Sequence, residues 1–548
     1  MNTIFIRIHT FILQEENKTF NILFIFLLRD YNLILFYKHI FMKGFFLIVC
    51  FFILLPIIAI SQQISYSDVL KESSRSREMN FEIIGKVKGN ILVFKNQSAK
   101  YAISIYQGQM DLKDKIDLDF IPSKAYNVDF VVYPDFFYLI YQYQKKGTIY
   151  CMAAKLDGNA KLTGDPVLLD TTQVGSFADN KIYSVINSED KQKIMVFKIQ
   201  KKSDKFNFVT LLLNDNLKLL HKTRQSLDYD DRKDVYSNFF LDNDGNFVFT
   251  KSIKTSNRDD IGTLDLITKS ADKDTFAIKN LALNKMYIDE MKIKIDNINK
   301  RYVLNSFYYV ERRGNIAGVY SAVWDVKGDS SYRAAFTPLA DSIRSIAKEK
   351  GALRYAFNDY FIRNILLKND GGYLLVAEDF STQTTGNNQW NRWDYLYNSP
   401  YSNPYYYNYY SPYYGGYYRP YNSFNNYNNT RYYYYNILVL SVDSTGKVDW
   451  SNVIHKDQSS DNTDNFLSYA TFNTGADIHF LFNNSDKRNQ LLIDNVIAAD
   501  GSLVRNPSLK SYEKGYNFMI RYAKQTGARQ LIVPCSYRDQ ICFAKIDF

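Results

Sequence analysis

The stretch LDGNAKL, Leu156 to Leu162, closes an apolar run and opens a mixed one, with a tight polar turn between. The same event returns along the chain. YQGQMDLK lies near 108, LNDNLKL at 213–219, TKSADKD at 268–274, WDVKGDS at 324–330, VDSTGKVDW at 442–450 and AADGSLV at 498–504. Successive spacings are about 49, 57, 56, 56, 117 and 56 residues. The long interval is one normal period plus an insertion.

Between these turns run short segments of strand length and β-rich composition. GNILVFKN, FFYLIYQY, NFVFTKSI, KRYVLNSFYY, GGYLLVAEDF and DIHFLFNN are examples. A period near 50, all strand, with about four strands per unit, predicts an all-β chain folded as a β-propeller. One such unit cannot bury both of its faces, so neighbouring blades must stack around an axis. After the seventh turn, residues 516–548 supply three more strands: YNFMIRYA, ARQLIVPCS and QICFAKIDF. A fourth is expected from ISYSDVL, Ile64 to Leu70, which would close the ring from the N-terminal side and remove exposed edges. Eight blades are favoured. Seven result if the irregular first unit is not a full blade, and a tandem of β-sandwiches is the structural alternative.

One segment reads as helix, TPLADSIRSIAKEKGALRYAF from Thr337 to Phe357. Thr337 suits the N-cap and Pro338 the first helical position, with Leu339, Ile343, Ile346 and Ala347 on one face.

The second insertion is YSNPYYYNYYSPYYGGYYRPYNSFNNYNNTRYYYY, Tyr401 to Tyr435, where sixteen of 35 residues are Tyr. Pro404, Pro412, Pro420 and Gly415-Gly416 exclude a strand core. Thr382 to Arg431 therefore reads as a mobile, disordered Tyr/Asn-rich loop inserted between GGYLLVAEDF and YYYYNILVLSV. A Tyr ring has an apolar face and a polar tip, so it stacks on sugar rings or on a partner's aromatics. Trp390, Trp393, Tyr405, Tyr406, Tyr413, Tyr414, Tyr417 and Tyr418 are the candidate contact residues. The same loop could cap the propeller mouth. It could also be a low-complexity expansion without a role, since Asn, Lys, Ile, Tyr and Phe are abundant throughout.

The N-terminal part reads as an address. From Met42 the chain runs MKGFFLIVCFFILLPIIAISQQ. Lys43 supplies a positive start, residues 44–58 an apolar run, and Ala59-Ile60-Ser61 a cleavage signature before Gln62. Residues 42–61 are thus a signal peptide, and residues 62–548 form a single propeller domain. The apolar residues 1–41 are interrupted by Arg29, Asp30 and Lys38. They read as a misassigned start or leader, with a membrane anchor as the alternative. Export sends the chain to the periplasm, the cell surface or the medium and permits disulfides. In CSYRDQIC a turn centred on Arg538-Asp539 places Cys535 opposite Cys542, so a bridge is expected there. Cys151 is left as a buried thiol.

The net charge is +10, spread along the chain. With export, this argues against nucleic acid as a partner. Asp242, Asp244 and Asn246 alternate in LDNDGNF, but no downstream bidentate acid follows, so a hairpin turn explains them better than calcium. DYDDRKD, Asp228 to Asp234, reads as a solvated acidic loop. His221, His455 and His479 lie far apart, and no nucleophile elbow, P-loop or dinucleotide fingerprint occurs. No metal or cofactor is expected. Glu378 and Asp379, next to the insertion, are the acids best placed for catalysis should the funnel be an active site.

SVDSTGKVDW, Ser441 to Trp450, resembles the tryptophan-docking repeat of quinoprotein-type propellers. Asp443, Thr445, Gly446 and Trp450 match in kind, with the Asp-to-Gly spacing one residue short and no equivalent Trp in the other units. The resemblance supports the fold and implies no quinone. As a whole, the repeat pattern is similar to that of uncharacterised secreted bacterial β-propeller proteins. That implies a monomeric binding or scaffold module at the cell envelope, contacting glycan or protein. A propeller hydrolase or lyase acting on polysaccharide is the alternative.

Overall fold

The computed structural model describes residues 63–69, 81–97, 100–174, 182–256, 260–326, 331–349, 358–384, 392, 396, 430–486, 489–510, 515–538 and 540–548. Residues 1–62, and with them the leader and signal peptide read from the sequence, lie outside this set.

The described strands form eight four-stranded antiparallel units, the fourth and fifth joined in one sheet through Tyr287–Ile288. Blade 1 comprises Phe81–Val87, Asn90–Gln97, Lys100–Gln107 and Asp111–Asp117. Blade 2 runs from Ala125 to Gln173, blade 3 from Tyr183 to Asp228, blade 4 from Asp234 to Leu281 and blade 5 from Lys292 to Pro338. Blade 6 comprises Tyr360–Leu367, Tyr373–Thr384, Thr430–Val442 and Val448–Ile454, and blade 7 runs from Tyr469 to Arg505. In blade 8, Gln530–Tyr537 and Gln540–Asp547 are the middle strands. Its inner strand is split into Tyr516–Phe518 and Lys524–Gly527 by a 3-10 turn at Ile520–Tyr522. The fourth strand of blade 8 is Gln63–Tyr66, paired with the chain's last strand from Gln63↔Asp547 to Tyr66↔Ala544. The ring therefore closes between the two ends of the domain, with a shorter closing strand than the sequence suggests.

Each apolar cluster belongs to a junction between blades. Leu92 and Ile103 of blade 1 meet Leu139 and Leu156 of blade 2. Phe197 and Phe208 of blade 3 meet Phe247 and Phe249 of blade 4. The series ends where Ile83 and Val93 of blade 1 meet Ile532 and Phe543 of blade 8. Middle strands are buried on both faces, which explains their nearly unbroken apolar runs. Outer strands are open, as in Asp111–Asp117, where six of seven residues are exposed.

The repeating turns all join the third strand of a blade to its fourth, and one interaction recurs in those of blades 2, 3 and 6. An Asp or Asn at the end of the third strand accepts hydrogen bonds from backbone N–H groups two and four residues on. Asp157 Oδ1 accepts from Asn159 and Lys161 at 2.9 and 3.0 Å. Asn214 Oδ1 accepts from Asn216 and Lys218 at 3.1 and 2.8 Å. Asp443 Oδ1 accepts from Thr445 and Lys447 at 2.7 and 3.0 Å. In blade 7 Ala498 holds the equivalent position, and Asp500, within the turn, accepts from Ser502 at 2.9 Å. The same device turns the first hairpin of blade 4, where Asp242 Oδ1 accepts from Asp244 and Asn246. There Asp242 Oδ2 takes the Tyr302 hydroxyl at 2.8 Å and Asp244 pairs with Lys300. The LDNDGNF acids are thus committed to turn and blade contacts.

The turns also lock neighbouring blades together. The Trp450 indole of blade 6 covers Gly501 in the corresponding turn of blade 7. A Cβ at Gly501 would stand 2.7 Å from the ring, and its φ is +85°. Asn452 donates to the Gly501 carbonyl beside it. No quinone is needed to explain this tryptophan.

The helix starts later than the sequence suggests, at Asp341, and is described as far as Glu349. Thr337 and Pro338 end the outer strand of blade 5, opposite Val319 and Gly318. Proline is tolerated at that strand end, where its missing N–H leaves no rung of the ladder unmade. Leu339 and Ile343, one turn apart, do bury together against blades 5 and 6.

Gly501→Ala should destabilise the domain by about 1–3 kcal/mol, from positive-φ strain and the clash with Trp450. Urea unfolding checks this. Trp450→Ala in the same chain should recover part of the loss.

Candidate functional site

Turns between the first and second strands, and between the third and fourth, lie on one face of the propeller. Connections between the second and third strands, and from one blade to the next, lie on the other. Asp289, Glu378, Asp379, Arg392 and Lys456 are buried toward this second face, while the buried Arg301–Asp296 pair lies toward the first. The Tyr-rich insertion leaves from it too, between Thr384 and Thr430, which are cross-strand partners.

Local irregularity aims the charged side chains. GGYLLVAEDF is apolar until Glu378-Asp379, and the register with the third strand shifts between Glu378 and Phe380. The first strand shifts between Ile362 and Asn364, which puts Arg363 at the irregularity. Such bulges redirect side chains out of the regular alternation. Glu378 is fully buried. It forms an ion pair with Lys456 at 3.0 Å and one with Arg363 at 3.4 Å, and accepts the Ser468 hydroxyl at 2.8 Å. Lys456 also donates to the Tyr434 carbonyl and to Gln458, both at 3.1 Å. Burial pushes the Lys456 ammonium below its ordinary value, with Glu378 acting the other way.

Two more pairs flank this one. Arg521 grips Asp464 with two contacts of 2.8 Å, and the Tyr434 hydroxyl donates to the same carboxylate at 2.8 Å. Asp289 takes Arg392 Nε and Nη2 at 2.9 and 2.5 Å and the Tyr309 hydroxyl at 2.6 Å. Arg392 belongs to the insertion. Its Nη1 donates to the Asn358 and Tyr360 carbonyls at 3.0 and 2.5 Å, and its guanidinium lies 3.9 Å over the Phe361 ring. Leu396 packs against the same aromatic cluster. The insertion is therefore keyed into blades 5 and 6 at its root.

Asp379 differs from these acids. It is 9% exposed and its Oδ1 has no hydrogen-bond partner among the described residues. Burial, and then the nearby Asp359, push its carboxyl up to about 7, against the pull of Lys456. It can hold a proton at neutral pH. Asp289, Glu378 and Asp464 each pair with an Arg or Lys.

Of the residues singled out from the sequence, Glu378 and Asp379 are brought into this network. Trp390, Trp393, Tyr405, Tyr406, Tyr413, Tyr414, Tyr417 and Tyr418 lie outside the described residues. Cys535 and Cys542 lie in blade 8, away from the network. Arg363, Lys456, Arg521 and Arg392 have no sequence motif. Arg363, a charge inside the apolar run YFIRNILL, and Arg521, a charge inside YNFMIRYA, carried a local signal. Among the described residues no group of three or more His, Cys, Asp or Glu is placed to hold a metal ion. No described helix is long and apolar enough to cross a membrane.

No protein-family model and no curated protein matches the chain. Solved structures with similar architecture include prolyl oligopeptidase B from Galerina marginata, at 8% identity and a TM-score of 0.39 over 84% of this chain. The chain spans about half the length of the prolyl peptidases it matches, 55% in that case. The polysaccharide lyase Uly1 is similar at 10% identity and a TM-score of 0.36, covering 76% of this chain and 89% of its own. An ulvan lyase matches at 11% identity and a TM-score of 0.33, covering 76% and 90%. At these values nothing about activity, substrate or partner transfers to this chain.

The raised Asp379 value makes a pH prediction. The folded state binds this proton more tightly than the unfolded chain, so the group favours folding at acid pH and that contribution is lost as pH rises toward 7. Asp379→Asn should flatten the fall in stability between pH 5 and pH 7, by at most about 1.4 kcal/mol per pH unit. Thermal melts of both proteins across that range measure it. Lys456→Met, which leaves buried Glu378 with only its longer Arg363 ion pair, should cost up to about 3–5 kcal/mol. The double change Lys456→Met with Glu378→Leu should cost less.

Proposed function

We propose that this chain is an exported β-propeller acting as a binding or scaffold module at the bacterial cell envelope. In this reading the insertion of blade 6 contacts glycan or an envelope protein through its aromatic residues. One observation carries the proposal. The base of the insertion is fixed, by the Thr384–Thr430 pairing and by Arg392 locked to Asp289. A dispensable expansion needs no buried arginine to hold it. The composition between those anchors, rich in Tyr and Asn with little charge, suits many shallow stacking contacts better than one tuned pocket. The paired acids nearby support binding over catalysis, because hydrolysis of a glycosidic bond requires two carboxyl groups free to exchange protons or attack.

Export rests on the leader at residues 42–61. Fractionation of expressing cells should recover the protein outside the cytoplasm, trimmed before Gln62. Intact protein in the cytoplasm would overturn that half of the reading.

The binding half is tested by replacing residues 397–429 with a short Gly/Ser linker, leaving Arg392 and Leu396 in place. Both proteins are applied to a glycan array and to isolated envelopes. The expected result is an unchanged melting temperature with at least tenfold weaker retention. Equal retention by the two proteins removes the insertion from the function.

A polysaccharide hydrolase or lyase is the second reading, favoured by Asp379 alone. Incubation with acidic and neutral polysaccharides, followed by detection of new reducing ends or unsaturated products, tests it. Activity that disappears in Asp379→Asn would establish it.

A further inference from the structure

The hairpin CSYRDQIC is not used by the proposed function, and it sits in the blade where the ring closes. Gln530–Tyr537 and Gln540–Asp547 pair antiparallel through a two-residue turn, with Arg538 at φ +48°. Cys535 and Cys542 are direct cross-strand partners, flanked by Pro534↔Phe543 and Ser536↔Ile541. Both side chains are fully buried, and their sulfurs face each other at 2.6 Å. They lie at the junction of blades 7 and 8, among Phe472, Phe518, Val533 and Ala544. Cys151, buried between blades 2 and 3, belongs to another cluster and is no alternative partner.

We propose that Cys535 and Cys542 are joined by a disulfide that staples the two middle strands of the closing blade. The Gln540–Asp547 strand is the one that receives Gln63–Tyr66, so the staple fixes the strand on which closure depends. The chemistry is a two-electron exchange. One cysteine thiolate attacks the disulfide of an oxidant, a small-molecule or protein disulfide, and releases one of its thiols. The second cysteine then attacks the mixed disulfide, forming the Cys535–Cys542 bond and releasing the oxidant's second thiol. The two protons leave with the oxidant's thiols. Burial holds the Cys535 thiol well above its ordinary value in the folded blade. The exchange therefore belongs to the hairpin before it packs against blade 7, and the finished bond is shielded from reductants.

The test uses the full chain, recovered from the oxidising compartment of an expressing bacterium or refolded with oxidised glutathione. It is alkylated with iodoacetamide under denaturing, non-reducing conditions and then mapped by mass spectrometry. The expected result is an unmodified Cys535/Cys542 peptide about 2 Da lighter than its reduced form, with Cys151 alkylated. Reduction under denaturing conditions should release both thiols, and the protein refolded in reductant should melt at least about 2 °C lower. Full alkylation of both cysteines after both preparations would overturn the proposal. Because wild-type protein is compared in two redox states, the test does not depend on a cysteine variant folding.

Discussion

Every blade presents apolar side chains on both faces, so none is stable without two neighbours. A linear stack would leave one wet face at each end. A ring leaves none, provided the last blade meets the first. In this chain that condition falls on a four-residue pairing, Gln63–Tyr66 with the final strand, and on the packing of Phe81, Ile83 and Val93 against Ile532, Ile541 and Phe543. The other junctions inherit their stability from this one, because opening it would expose blades 1 and 8 together.

Within that ring, polar groups have two distinct tasks. On one face, short Asx-type turns fix hairpin geometry with local bonds, and the turns at Gly158, Asp215 and Gly501 touch the preceding blade. The Trp450–Gly501 contact is the tightest case described. On the opposite face, buried Arg–Asp and Lys–Glu pairs reach between segments far apart in sequence. Asp289 and Arg392 are 103 positions apart, Glu378 and Lys456 are 78. A buried pair of this kind adds little net stability over apolar packing, yet is costly to break, so it fixes which segment may occupy the position.

That division explains what the sequence discloses. The Asx turns are local, and Asp157, Asn214 and Asp443 stand at whole multiples of about 57 residues, so the blade period and strand order follow from them. The closing strand is legible because blade 8 is one strand short. The helix start is misread because Thr337 and Pro338 satisfy a helix N-terminus and a strand end equally well, and only the pairing with Gly318 and Val319 decides between them. The charge network leaves almost no trace. Lys456 sits in an ordinary polar context and Arg521 interrupts the apolar run YNFMIRYA, and nothing near either residue reveals its partner. Glu378 and Asp379 are conspicuous as adjacent acids after an apolar strand, but their opposite fates depend on Lys456 and Asp359, which the fold supplies.

The hairpin at the root of the insertion has an evolutionary meaning. Thr384 and Thr430 face each other across one rung of the ladder, so whatever lies between them begins and ends at almost the same point in space. Lengthening such a closed excursion adds loop entropy only logarithmically and asks nothing of the blades. Blade 6 is thus a graft point, where tandem codons can be gained or lost, and recognition retuned, while the ring beneath stays unaltered.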